Sequence, residues 1–326
     1  MIDTSNFSTP LLSPDSNFSH IEEKYIGLCT NIHMVKVNNI RISLTQRCNL
    51  DCIYCHHEGE NKRNGREMTI EEFEEILKIA EAFNICKLKL TGGEPLMRKD
   101  IVEIVHTGKR HMKEVSMTTN GLLLPLYTKE LKGAGLDRVN ISLDSLSGER
   151  FKYVTSGKLD GALMGIKSAK EAGIEPIKIN AVVLNGINDN EIEDFIDFSS
   201  KNGCILQLIE LEASRDDGEF YKKYHHDLSG AEKNLEKRAE RIEVRRMHHR
   251  KKYFLENGGE VEIVKPMHNT EFCGNCTRIR VTSDCKVKPC LLDHTTFDIR
   301  PCLFDGERAK IIFEKAIESK KPYWRS

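Results

Sequence analysis

From residue 40 to residue 210, short runs rich in apolar and β-branched residues, beginning with "IRISL", alternate with longer runs whose apolar positions recur at helical spacing. The two periods predict strands at 40–45, 86–91, 113–118, 137–143, 176–184 and 204–210, and helices at 69–83, 99–110, 124–134, 160–173 and 189–202. Thr69 with Glu72 three residues later forms a helix-start signature, and Gly173 and Gly203 stand at helix ends. Strand and helix in repeated order imply parallel strands joined by right-handed crossovers. Six such units suit an α/β protein built as a partial (β/α)6 TIM-like barrel, with chemistry gathered at the C-terminal ends of the strands. A doubly wound sheet is the alternative.

The rhythm is different at both ends. Residues 1–38, rich in Ser, Asn, Pro and Thr, read as a poorly ordered leader. Residues 39–212 form the expected core. Residues 213–326 read as a separate, smaller C-terminal extension: a charged helix from Ser229, three strand-like runs, and a final helix at about 305–319. Asn257-Gly258 between the last two of these runs is a type I′ hairpin signal.

Composition narrows the class. Of 326 residues 39% are hydrophobic, enough for a large core, and 49 Lys and Arg against 50 Asp and Glu exclude a globally basic nucleic-acid wrapper. With no charged and apolar leader segment and no apolar run of membrane-spanning length, a cytoplasmic protein that binds neither membrane nor nucleic acid is expected. In a reducing compartment the 11 cysteines are metal ligands or plain thiols rather than disulfides. Cys29, Cys86 and Cys204 stand apart and are expected to be core or incidental thiols.

The others cluster. "RCNLDCIYCHH" places Cys48, Cys52 and Cys55 directly after the first strand, followed by His56 and His57. Haem attachment through Cys52 to His56 would require export. Zinc held by three Cys and a His, or a four-iron cluster held by three thiolates with one iron left open, both remain. An open iron can take the amino and carboxylate groups of S-adenosylmethionine. "LTGGEP", Leu90 to Pro95, follows the second strand, where its glycines allow close main-chain approach. The second set, Cys273, Cys276 and Cys290 with Cys285 between the last two, could by spacing alone be a zinc ribbon. Arg278 and Arg280 alternate beside it on one face of a probable strand, a clamp suited to phosphate or carboxylate.

Together the two cysteine sets, "TGGEP", "TTNG" and "CTRIR" resemble the GTP 3′,8-cyclase family of the radical S-adenosylmethionine superfamily, most closely its archaeal type, over about residues 40–318. The resemblance implies a lyase of molybdenum cofactor biosynthesis with a six-unit partial barrel and a C-terminal extension carrying a second iron-sulfur cluster. It implies two [4Fe-4S] clusters, one on Cys48, Cys52 and Cys55 and one on Cys273, Cys276 and Cys290, the latter meeting guanine through its open iron. Tyr54, Gly93 and Ser142 match positions that contact S-adenosylmethionine. Arg41, Lys89, Thr118, Lys178, Arg278, Ile279 and Arg280 match positions that contact GTP. Three of these, Arg41, Lys89 and Lys178, are cations in otherwise apolar strands, which is costly without an anionic partner.

The implied reaction is abstraction of the ribose 3′ hydrogen by a 5′-deoxyadenosyl radical and closure onto C8 of guanine, giving 3′,8-cyclo-7,8-dihydro-GTP. An electron donor such as ferredoxin or flavodoxin, and cyclic pyranopterin monophosphate synthase as the next enzyme, come with it; a homodimer is left open. Several positions depart from the family pattern. Glu212 stands where many members have Met, Lys89 replaces an Arg, the chain ends "YWRS" rather than Gly-Gly, and Cys285 replaces a turn glycine. Cys285 is expected on that turn; as a fourth thiol at the metal it would close the second cluster's open iron or favour zinc. Two further readings stay open: a radical enzyme acting on a peptide, and a non-catalytic zinc protein that binds partners or RNA. The 7% aromatic content speaks against the last.

Overall fold

A computed structural model describes residues 37–60, 66–212 and 218–323. Of the expected leader, residues 1–36 lie outside the described residues, as does Cys29. All six predicted core strands form: β1 Asn39–Ser43, β2 Lys87–Thr91, β3 Glu114–Thr119, β4 Arg138–Ser142, β5 Ile177–Val183 and β6 Ile205–Glu210. They pair in parallel in sequence order.

The intervening helices are α1 Ile70–Ala82, α2 Ile101–His111, α3 Thr128–Gly133, α4 Gly148–Thr155, α5 Leu159–Glu171 and α6 Ile192–Asn202. At the start of α1 the Thr69 hydroxyl accepts from Glu72 N at 3.3 Å while Thr69 N donates to Glu72 Oε2 at 2.9 Å, the reciprocal cap its sequence promised. The helix expected at 124–134 is divided, with a 3-10 turn at Leu124–Leu126 before α3. Pro125 in that turn has no N–H to continue an α-helical ladder. Helix α4 had not been anticipated; it buries Phe151, Val154 and Thr155.

Beyond residue 218 come α7 Gly218–Tyr224, α8 Ser229–Arg238, β7 Ala239–Val244, β8 Lys251–Leu255, β9 Glu260–Val264, α9 Thr270–Gly274, β10 Arg278–Val281, β11 Lys286–Lys288, β12 Phe297–Asp298 and α10 Gly306–Glu318. These strands do not build a sheet of their own. The order is β12-β11-β10-β1-β2-β3-β4-β5-β6-β9-β8-β7, one mixed sheet of twelve strands, and the described residues fall in one compact unit. β9 adds in parallel to β6, with Leu206 opposite Val261, and β10 adds in parallel to β1, with Ile40 opposite Ile279. The two edges of the six-stranded core, each with a row of unpaired backbone groups, are thereby both covered. Residues 265–277 run from one edge of that core to the other.

The hairpin at 255–260 forms, but of its two central residues only Gly258 has positive φ, +78°. Gly258 N donates to Leu255 O and Leu255 N to Gly259 O, both at 2.9 Å, so the loop ends in a left-handed glycine rather than a type I′ pair.

Along each core strand the faces differ. Ile40, Ile42, Leu88, Leu90, Val139, Ile141 and Ile179 are buried in the hydrophobic core. Their alternating neighbours Arg41, Lys89, Asn140, Ser142, Lys178 and Asn180 line a single cavity of about 410 Å³ together with residues from β3, β6, β9 and β10. Eight strands meeting round one cavity make that face concave.

Candidate active site

The first cysteine loop sits at the C-terminal end of β1, and Cys48, Cys52 and Cys55 all line the cavity. Helix α4 holds it: Asp51 N donates to Thr155 O at 3.0 Å and Ile53 N to Val154 O at 2.9 Å. The "GGEP" turn packs onto its other side. A Cβ on Gly92 would stand 2.4 Å from Thr45 O, and one on Gly93 2.3 Å from Arg47 O. Gly93 N donates to Thr45 O at 2.7 Å and Glu94 N to Arg47 O at 2.8 Å. The close approach that these glycines permit is to the chain leading into Cys48. Glu94, fully buried, accepts from Thr119 Oγ1 at 2.7 Å and Asn120 N at 2.8 Å, tying "TTNG" to the same turn. Burial pushes its carboxyl up to about 7.

Tyr54, Gly93 and Ser142 all line the cavity at this end. The Tyr54 hydroxyl donates to Asp144 Oδ2 at 2.6 Å, and Asp144, raised to about 6 by burial, also accepts from Val182 N at 3.0 Å. Burial likewise raises the Cys48, Cys52 and Cys55 thiols, so metal loading here must release protons. His57 Nδ1 lies 3.7 Å from Cys55 Sγ, and His56 is 3.9 Å from Glu212.

Cys273 lies on α9, Cys276 just beyond it, and Cys290 after β11. Cys273 is pushed up to about 11 by burial, then by the proximity of Cys290 and Cys276. Burial opposes ionisation of Cys276 too, but Lys320, 3.7 Å away, and Arg278 outweigh it and hold its thiol below the usual value. Cys285 is not in this group. At φ +64° in the β10–β11 turn, it is buried in the core, where burial and its neighbours Arg300 and Glu72 set its thiol at about 11. Each set therefore offers three mutually close thiols. Among the described residues no three His, Cys, Asp or Glu side chains are drawn in round a single ion. Three thiols to a set suit a four-iron cluster with one iron left open. Cys204 is buried and Cys86 half-buried, as expected of incidental thiols.

Deeper in the cavity lie Arg41, Lys89, Thr118, Lys178, Arg278 and Arg280. Register brings them together: Arg41 is opposite both Lys89 and Arg280, and Asn140 opposite both Thr118 and Lys178. Ile279 does not join them. Strand alternation turns its fully buried side chain into the hydrophobic core, so at this position only the main chain is left to face the cavity.

The cations crowd one another. Lys89, bonded to Asn140 Oδ1 at 2.9 Å, is held well below its usual value by burial and then by Arg138 and Arg41. Burial brings Lys178 down to about 7 although Glu262 is 2.6 Å away. Glu58, in the segment after Cys55, bridges Arg280 at 2.7 Å and Arg41 at 3.3 Å and accepts from Thr91 Oγ1 at 2.8 Å. Against the opposing effect of burial, the two guanidiniums keep it ionised. Arg138, Glu58 and Glu262 were missed in the sequence. Arg138 was recoverable, because it shares strand parity with Asn140 and Ser142.

A concave parallel sheet with three thiols beyond its first strand and a glycine turn beyond its second defines a radical S-adenosylmethionine protein. The Radical SAM superfamily matches residues 42–199, and Molybdenum Cofactor Synthesis C matches residues 204–326. Within that superfamily the chain belongs to the GTP 3′,8-cyclase family. It is 47% identical over 299 residues to the probable GTP 3′,8-cyclase of Thermococcus kodakarensis, covering 89% of this chain and 97% of the relative. It is also 47% identical over 298 residues to that of Pyrococcus abyssi, covering 88% and 97%. Streptococcus suis SuiB shares the fold, with TM-score 0.61 and 16% identity over 89% of this chain and 76% of that one. So does anSMEcpe with bound AdoMet, with TM-score 0.59 and 18% identity over 87% and 81%. The family is one of molybdenum cofactor biosynthesis, with S-adenosylmethionine and two [4Fe-4S] clusters as its cofactors. No described helix is long and apolar enough to cross a membrane.

Proposed function

We propose that the cavity binds GTP and converts it to 3′,8-cyclo-7,8-dihydro-GTP, with Cys48, Cys52 and Cys55 holding one [4Fe-4S] cluster and Cys273, Cys276 and Cys290 the other. The observation that carries the reading is the layer of buried cations lining one cavity together with the first thiol triad, beside the second. Bound at the first triad, cluster and S-adenosylmethionine would supply the one-electron chemistry needed to remove a ribose hydrogen. Tyr54, Gly93 and Ser142 flank the position for that cofactor. Arg41, Lys89, Lys178 and Arg280 hold the triphosphate and fix the ribose, Thr118 adds a hydroxyl at mid-depth, and Arg278 steers the base toward the second triad. Positioning of this kind is the protein's main contribution to such a reaction.

In this reading the β1–β6 arc is a partial barrel, and the chain beyond β6 is the extension that carries the second cluster. A one-electron donor such as ferredoxin or flavodoxin supplies the electron, and cyclic pyranopterin monophosphate synthase takes the product.

The test is anaerobic reconstitution with iron and sulfide, then reductant, S-adenosylmethionine and GTP. About eight irons per chain, 5′-deoxyadenosine and a cyclised nucleotide by mass spectrometry are expected. Deoxyadenosine without cyclised nucleotide would move the substrate elsewhere; stoichiometric zinc without iron would end the reading.

A further inference from the structure

The turn between β7 and β8, "RRMHHR" at 245–250, belongs to no recognised motif, yet Arg245, His248 and Arg250 all line the cavity. Its backbone is unusual: His248 and His249 adopt φ of +64° and +48°, a region costly to side chains other than glycine. The turn is nevertheless held firmly. Arg245 N donates to Arg250 O and His248 N to Asn275 O, both at 2.9 Å, and the His248 ring stacks on Phe272 with centroids 3.7 Å apart.

What the turn delivers is positive charge onto an acid that is already saturated. Glu262, fully buried, accepts from Lys178, Arg245 and Gln207, each at 2.6 Å, and Arg250 approaches no closer than 3.6 Å. One carboxylate therefore faces three cations. Four buried nitrogens of cavity-lining side chains lack a partner among the described residues: Arg41 Nε, Arg278 Nε, Arg250 Nε and His248 Nδ1. The first two belong to residues already assigned to the substrate. The three arginine Nε–H groups are buried, unpaired donors, and with the surplus positive charge they call for a polyanion.

We propose that Arg250 is a further substrate-binding residue, taking triphosphate oxygens of GTP together with Lys178, while Arg245 positions Glu262 behind them. This rests on the assignment of the cavity to GTP. The assignment is testable with full-length, anaerobically reconstituted protein, by measuring equilibrium binding of GTP and of guanosine, which carries no phosphate. Arg250→Gln should weaken GTP binding about 10- to 100-fold, the effect of losing a charged hydrogen-bonding pair, and leave guanosine binding within about twofold. Arg250→Lys keeps the charge and should lose only about threefold for GTP. Unchanged GTP affinity in both variants, or an equal loss for guanosine, would overturn the proposal and leave the GTP assignment standing. Should the glutamine variant not fold, the lysine variant decides alone: loss for GTP only supports the proposal, no loss overturns it. Wild-type protein that binds no GTP overturns both readings together.

Discussion

At the C-terminal ends of the strands the cavity is lined by Tyr54, Gly93, Ser142 and the buried acid Asp144, with Glu94 buried behind the glycine turn, whereas lower on the strands it is lined by Arg41, Lys89, Arg138 and Lys178. On β4 the step from Ser142 down to Arg138 spans roughly 13 Å at 3.3 Å per residue. Burial acts in opposite senses at the two levels. It raises Asp144 to about 6 at the mouth and Glu94 to about 7 behind it, and at the floor it lowers Lys178 to about 7 and holds Lys89 well below its usual value. Burial thus disfavours the charged form of the acids at one level and of the lysines at the other. In the proposed reading a sulfonium would lie at the mouth and a triphosphate at the floor. Depth along a strand does the sorting.

The largest test of this division is at the thiols. Cys55→Ala should remove about four irons per chain and abolish 5′-deoxyadenosine formation, while GTP still binds within a few-fold. Cys276→Ala should remove as many irons and abolish cyclisation, yet leave reductive formation of deoxyadenosine detectable. If either variant lost both ligands equally, the two levels would not be separate sites.

At the floor, Arg280→Ala should weaken GTP binding about 10- to 100-fold and leave S-adenosylmethionine binding unchanged, as read by equilibrium binding of each ligand. A smaller effect comes from pH. With Lys178 at about 7 in the free protein, a bound triphosphate raises it, so binding must recapture a proton above that pH. GTP affinity should therefore fall as pH rises from about 7 to 9, by at most about tenfold per unit, and Lys178→Met should flatten the profile. Last, Cys285→Ala should leave iron content unchanged and lower the melting temperature by a few degrees, because its thiol fills core space. Loss of iron in that variant would return Cys285 to the second cluster.

Legibility differed by the range of the contacts involved. The core strands, the caps at Thr69 and Gly203, and the cost of Arg41, Lys89 and Lys178 in apolar strands were readable because each depends on neighbours a few residues away. Helix α4 was missed although Phe151 and Val154 have helical spacing, since its eight residues lie between two stronger signals. Cys285, five residues from Cys290, was expected on a turn, with a role as fourth ligand left open. A left-handed backbone turns it into the core instead. The 245–250 turn gave no warning, because only a contact with a buried acid on β9 gives its arginines a role.

By itself the sequence determined the chemistry: two triads of thiols, a glycine turn, strand-borne cations and the parallel order of six strands, all set by local spacing and by the cost of burying charge. The tertiary structure alone decided that the C-terminal strands extend the core sheet at both edges. Only then does Arg280 stand opposite Arg41, with Glu58 between them. It also decided that Ile279 and Cys285 face the core while Arg250 faces the cavity. The two edge pairings join residues 55 positions apart at β6 and 239 apart at β1, and no local periodicity encodes which edge a distant strand will find.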